Sequence, residues 1–200
     1  MANQAASPRL TPKFVEALGY AAEKHATQTR KASEVPYLGH LLSVAGLVIE
    51  ADGTETQAIA ALLHDAAEDQ GGERTLAEID QKFGADVASI VAECSDTFEA
   101  PKPPWRGRKE RYIQHLREAS DDAALVSLAD KLDNARAILR DLRAHGNEVW
   151  QRFSVQDPQL HLWYYRSLLE VYSQRAHSWM VGELHDVIDA LEQAINRQSA

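Results

Sequence analysis

The sequence predicts an all-α protein, a single bundle of about eight to ten helices. Three observations carry that expectation. Glycine and proline are few, 10 and 7 in 200 residues, whereas Ala, Leu, Glu, Gln and Arg, the better helix formers, are abundant. Apolar residues recur at helical spacing in one segment after another. A 44% hydrophobic fraction at this length supplies enough apolar surface for one proper core.

The elements follow in order. Residues 1–10, with Ser7-Pro8, are set aside as a frayed leader. Phe14, Val15, Leu18, Ala21 and Ala22 mark a first helix ending near His25, and the polar stretch Thr27 to Val35 is a loop. Pro36 suits the first turn of a second helix, whose apolar positions Leu38, Leu41, Leu42, Ala45, Leu47 and Val48 run until Asp52-Gly53 stops it. A third helix opens at Thr54 or Thr56 and is expected to continue through His64-Asp65-Ala66-Ala67-Glu68-Asp69 to Gly71-Gly72. Short helices over Thr75 to Phe83 and Asp86 to about Glu93 flank Gly84. Ala100 to Trp105, with three prolines, is a loop. Arg108 to Arg117, Asp122 to Ala144, Pro158 to Arg175 and Ser178 to Arg197 complete the helices. Composition does not shift across the proline loop, so one domain over residues 1–200 is expected.

Charge narrows the function. With 21 Lys+Arg against 30 Asp+Glu the net charge is -9, which leaves no global positive field for nucleic acid or an anionic membrane surface. Cys94 alone can form neither an internal disulfide nor a cysteine zinc site, and a reducing cytoplasm suits it. Leu41 to Ile49 and Ala58 to Leu63, the longest apolar runs, are too short to span a bilayer. A soluble monomer or homodimer is expected.

Two places break the apolar pattern. His64-Asp65 ends a strongly apolar helix with Glu68 and Asp69 one turn later, and buried carboxylates need a cation nearby. A solvated helix end is the alternative, weakened because Ala61, Leu62 and Leu63 are apolar on every side. Ala124 to Asn134 repeats the plan: an apolar helix ends its inward stripe at Asp130, one turn from Asn134. His40 sits among Leu38, Leu41 and Leu42. A lone histidine on an apolar face is more often a core residue than a ligand, a preference reversed by the company of the other groups.

His40, His64-Asp65 and Asp130 are similar to the H…HD…D signature of HD-domain metal-dependent phosphohydrolases. Arg30-Lys31, Pro36-Tyr37-x-x-His40, Ala60 to His64-Asp65-x-x-Glu68-Asp69, Phe83-Gly84 and Leu128-Ala129-Asp130-Lys131-Leu132-x-Asn134-x-Arg136 more closely resemble the hydrolase half of RelA/SpoT-type enzymes, in particular the small alarmone hydrolases. The chain differs at Ser33-Glu34-Val35, Leu41, Asp133, Ala137 and Pro103-Pro104-Trp105-Arg106, none of which removes a candidate ligand. The resemblance implies Mn²⁺, one ion per chain, on His40, His64, Asp65 and Asp130, a mixed imidazole and carboxylate set that suits it chemically. It implies catalysis by Glu68 and Asp69, placed to activate water and return a proton. Arg30, Lys31, Lys131 and Asn134 would contact the nucleotide. From Lys102 to Arg117 six cations, Lys102, Arg106, Arg108, Lys109, Arg111 and Arg117, face only Glu110, so the run is either a phosphate-binding rim or a solvated face. Trp105 would cap the pocket or pin the loop. Tyr37 carries no separable role, and the aromatic C-terminal third reads as packing or a dimer face.

The implied reaction is hydrolysis of the 3′-pyrophosphate of (p)ppGpp to GDP or GTP and pyrophosphate. Two alternatives stay open at this point: a nucleotide phosphatase acting on a nucleoside monophosphate or the 2′-phosphate of NADPH, and a non-catalytic alarmone-binding module. The chain is too short for a synthetase domain alongside a hydrolase domain.

Overall fold

The computed structural model describes residues 9–31, 33–99, 101–175 and 178–198. The expected leader at residues 1–10 lies outside them up to residue 8. Among the described residues the regular structure is helical throughout: α1 Pro12–Lys24, α2 Leu38–Glu50, α3 Glu55–Leu63, α4 Ala66–Asp69, α5 Glu73–Phe83, α6 Ala85–Cys94, α7 Trp105–Glu118, α8 Asp121–His145, α9 Pro158–Arg175 and α10 Trp179–Gln198. A 3-10 segment, Gly146–Arg152, joins α8 to α9. The all-α expectation holds.

The long helix α8 is the axis of the fold. It packs against α2, α3, α6, α9 and α10, and its Val126, Leu128, Ala129, Leu132, Ala135 and Leu142 are fully buried. Burial of a leucine or valine side chain contributes ~1.5–3 kcal/mol each, so these contacts outweigh helix propensity in fixing α8. Beside it, α3 is buried on all sides from Ala58 to Leu63 and starts with a capping box, in which Thr54 Oγ1 accepts from Gln57 N and Gln57 Oε1 accepts from Thr54 N. Gly84, at φ 90, ends α5 and leads directly into α6, a left-handed conformation that a side chain would strain.

The structure corrects the sequence expectation in three places. The third helix does not run unbroken to Asp69: it stops at Leu63, turns at His64-Asp65, where Asp65 has φ -98 and ψ -6, and resumes as α4. Neighbouring residues on a regular helix point about 100° apart and do not face one another, so aiming both His64 and Asp65 at one centre requires the bend. Helix α7 starts three residues early, at Trp105, because Pro104 is accommodated just ahead of the first turn. Pro36 does not form the first turn of α2: the helix begins at Leu38, and Pro36 lies ahead of it in a bridge with Thr29.

Candidate active site

Three elements converge at the bend. His40 comes from the buried face of α2, His64 and Asp65 from the turn after α3, and Asp130 from the middle of α8. The ligand-type atoms of His40, His64 and Asp65 lie within 4.8 Å of one another. Asp130 Oδ1 stands 3.2 Å from His40 Nε2 and 3.6 Å from His64 Nε2, and Asp65 Oδ2 stands 3.7 Å and 3.1 Å from the same two nitrogens.

The tautomers follow from the partners. His64 Nδ1 faces the Ala61 carbonyl at 2.8 Å and His40 Nδ1 faces Asp133 Oδ2 at 2.7 Å, acceptors only, so both Nδ1 atoms carry hydrogen. The Nε2 atoms of both rings are buried and have no hydrogen-bond partner. Two partnerless ring nitrogens aimed between two carboxylates fit a divalent cation, whose charge would offset the carboxylates and whose coordination would use the nitrogen lone pairs. Without that charge the protons are held instead. Burial opposes ionisation of His40, but the nearby carboxylates of Asp130, Asp133 and Asp65 prevail and raise it to about 9. Burial likewise opposes ionisation of His64, Asp65 and Asp130. The two carboxylates hold His64 well above the ordinary histidine value; His64 and His40 hold Asp65 well below the carboxylate range, and Lys131 with the same two histidines holds Asp130 below it.

Asp65 and Asp130 open onto a cavity of about 760 Å³, within the range of small-molecule sites. Glu68 and Asp69 line it beside them. Glu68 accepts from the Asp96 backbone N–H at 2.8 Å and from Lys102 Nζ at 2.6 Å, while Asp69 accepts from Gln28 Nε2 at 2.8 Å. Burial, and then the negative charge of Asp65, hold the Asp69 carboxyl above the usual carboxylate range.

The other candidates are also at the cavity. Arg30, Lys31, Lys131 and Asn134 line it. Arg30 is presented by a loop closed on itself by Arg30 N to Val35 O and Tyr37 N to Gln28 O, both 2.9 Å. Lys131 pairs with Asp130, and Asn134 Nδ2 donates to Asp130 Oδ1. The basic run divides. Lys102, Arg108 and Lys109 line the cavity, whereas Arg106 stacks on Trp163 at 3.4 Å and Arg111 and Arg117 face solvent. Trp105 both lines the cavity and packs against His161, Trp163 and Tyr164.

Several contributors escape sequence reasoning. Tyr37 donates to Asp65 Oδ2 at 2.5 Å. Asp133 bonds His40, and Asp96 carries Arg108 and Lys109 as well as the N–H that holds Glu68. The C-terminal third is more than packing, because Arg152, Phe153, His161, Tyr164 and Tyr165 form a wall of the cavity. Asp133 left a trace in the sequence as a departure from the resembled pattern, and Tyr37 as a member of it without a separable role.

The chain is similar to known proteins. The HD domain matches residues 17–158. Guanosine-3′,5′-bis(diphosphate) 3′-pyrophosphohydrolase MESH1 of Xenopus tropicalis is 42% identical over 147 residues, 72% of this chain and 77% of the relative. The Homo sapiens protein of the same name is 38% identical over 148 residues, 72% of this chain and 78% of the relative. A solved structure, described as a metazoan ortholog of SpoT that hydrolyzes ppGpp, superposes with a TM-score of 0.75 at 29% identity, covering 96% of this chain and 99% of its own. Because the matched span contains the whole convergence from α2 to α8, and the likeness extends over most of each relative's length, the chain belongs to the HD domain family.

Proposed function

We propose that this protein is a divalent-metal-dependent phosphohydrolase that removes the 3′-pyrophosphate of (p)ppGpp, releasing GDP or GTP and pyrophosphate. One observation carries the reading: a single cavity joins the partnerless Nε2 atoms and carboxylates of His40, His64, Asp65 and Asp130 to Glu68, Asp69 and a rim of cations. The activity named for the MESH1 relatives supports the choice of substrate.

His40, His64, Asp65 and Asp130 would hold the ion, and we take it to be one Mn²⁺, which a mixed imidazole and carboxylate set suits. When bound it supplies Lewis acidity and charge neutralisation at the phosphoryl group. Asp69 takes the proton from the attacking water. Its raised affinity for protons suits it to act as the base, and Gln28 fixes its orientation. Water oxygen bonds to the phosphorus, the bond from that phosphorus to O3′ breaks, and Asp69 returns the proton to O3′. Glu68, engaged through both oxygens, holds Lys102 against the cavity, where its charge meets the departing pyrophosphate. Arg30, Lys31, Lys131 and Asn134 position the nucleotide, and Arg30 can stack on a base.

The partner is thus a small nucleotide rather than a nucleic acid, and the protein acts in the cytoplasm as a monomer or homodimer over residues 1–200. Among the described residues no helix is long and apolar enough to cross a membrane. Product analysis tests the reading. Incubation with ppGpp, pppGpp, NADPH and a nucleoside monophosphate, with and without Mn²⁺, should yield pyrophosphate from the first two in the presence of metal. Orthophosphate from NADPH or the monophosphate, with ppGpp intact, would make it a phosphatase. Binding of ppGpp without turnover would make it an alarmone-binding module.

A further inference from the structure

Asp133 stands where two parts of the site meet. Its Oδ2 accepts from His40 Nδ1 at 2.7 Å and from Arg30 Nη2 at 2.9 Å. Arg30 Nη1 in turn donates to Asn134 Oδ1 at 3.1 Å, and Asn134 Nδ2 donates to Asp130 Oδ1. The result is a hydrogen-bonded circuit, His40 to Asp133 to Arg30 to Asn134 to Asp130, whose two ends are candidate ligands of the same ion. The circuit joins residues far apart in the chain, 93 positions between His40 and Asp133 and 103 between Arg30 and Asp133. The Asp133 side chain is 18% exposed and that of Arg30 20%, so solvent competes weakly for either bond.

We propose that Asp133 is a positioning residue that serves the metal centre through His40 and the nucleotide wall through Arg30. Toward the metal, an acceptor on Nδ1 locks the ring orientation and leaves Nε2 as the free lone pair, and a carboxylate acceptor makes that lone pair more basic. Toward the nucleotide, the same oxygen neutralises Arg30 and fixes its guanidinium against the cavity, so that a cation can stand near a metal site without repelling the metal. Asp133 and Arg30 therefore affect metal binding in opposite ways. Loss of Asp133 removes the support of His40 and leaves the Arg30 charge uncompensated. Loss of Arg30 leaves Asp133 wholly to His40.

The inference rests on the metal reading above, and the experiment separates the two. Free Mn²⁺ is measured by electron paramagnetic resonance during titration of the full chain and of the variants Asp133→Ala, Asp133→Asn and Arg30→Ala, each checked for helical content by circular dichroism. Asp133→Ala should weaken Mn²⁺ binding by about 10–100-fold, the range for loss of a carboxylate behind a ligating histidine. Asp133→Asn, which has the same shape and keeps an acceptor but loses the charge, should fall between it and the unmodified protein. Arg30→Ala should bind Mn²⁺ at least as tightly as the unmodified protein. Equal weakening by Asp133→Ala and Arg30→Ala would reduce the pair to a structural clasp and overturn the inference, as would unchanged affinity in Asp133→Ala. Failure of the unmodified protein to bind Mn²⁺ would overturn the metal reading itself, and the inference with it.

Discussion

At the scale of single residues, protons and metal compete for the same two nitrogens. In the metal-free protein His40 holds its proton with a pKa of about 9. That exceeds the unfolded value of ~6.5, so its contribution to stability is complete below ~6.5 and is lost as pH rises through about 9. A metal bound at Nε2 must displace that proton. The Mn²⁺ dissociation constant should accordingly fall as pH rises toward about 9, with protons released on binding, as calorimetry in buffers of different ionisation enthalpy would register. A pH-independent constant would remove His40 from the ligand set. Asp69 gives the second prediction. Asp69→Asn should lower turnover by ~10²–10⁴-fold, the range of a lost general base, while Mn²⁺ binding persists. With Asp69 raised above the usual carboxylate range, activity of the unmodified enzyme should fail on the acid side at a pH higher than an ordinary aspartate would give. A normal acid limb in kcat/KM would shift the proton transfer to another group.

At the scale of elements, the site depends on how α7, α8 and α9 are tied behind it. Ser127 on α8 sits 2.7 Å from the hydroxyls of both Tyr112 on α7 and Tyr172 on α9, all three residues being buried. Ser127→Ala leaves both phenols short of a partner and should cost ~1–3 kcal/mol in chemical denaturation. Its effect on the Mn²⁺ constant should be small, because Asp130 is held separately by Lys131 and Asn134. Element reading from the sequence succeeded where an apolar stripe was long and well terminated: α9 was placed at both ends, and α5 and α6 were divided correctly at Gly84. It failed at His64-Asp65. Local pattern favours continued helix there, whereas the demand that both side chains reach the same centre is imposed by α2 and α8, and no local pattern carries it.

At the scale of the whole molecule, the candidate ligands belong to α2, the turn after α3, and α8, so a bound ion would clasp three elements of the core. Free Mn²⁺ at about 1,000 times its dissociation constant should stabilise the fold by ~4 kcal/mol and raise Tm by roughly 10 °C, an effect that a chelator should reverse. Absence of any shift in a thermal melt would show that the cluster does not hold the metal. The net charge of -9 also acquires a location. Negative charge collects at Asp65, Asp69 and Asp130, and the same cavity is lined by cations, among them Lys31, Lys102, Lys109 and Lys131.

The order and spacing of His40, His64-Asp65, Glu68-Asp69 and Asp130 were legible in the linear chain, because polar groups interrupting apolar helical stripes are costly unless something compensates them. Helix content was legible for a similar reason, since amphipathic period and end signals are local. What three dimensions alone decided was which groups support that set. Asp133 behind His40, Tyr37 on Asp65, Gln28 on Asp69 and the backbone of Asp96 on Glu68 are contacts between distant segments. The aromatic wall from the C-terminal third is another. Each depends on how helices pack around α8, a property of the assembled core that no window of neighbouring residues contains.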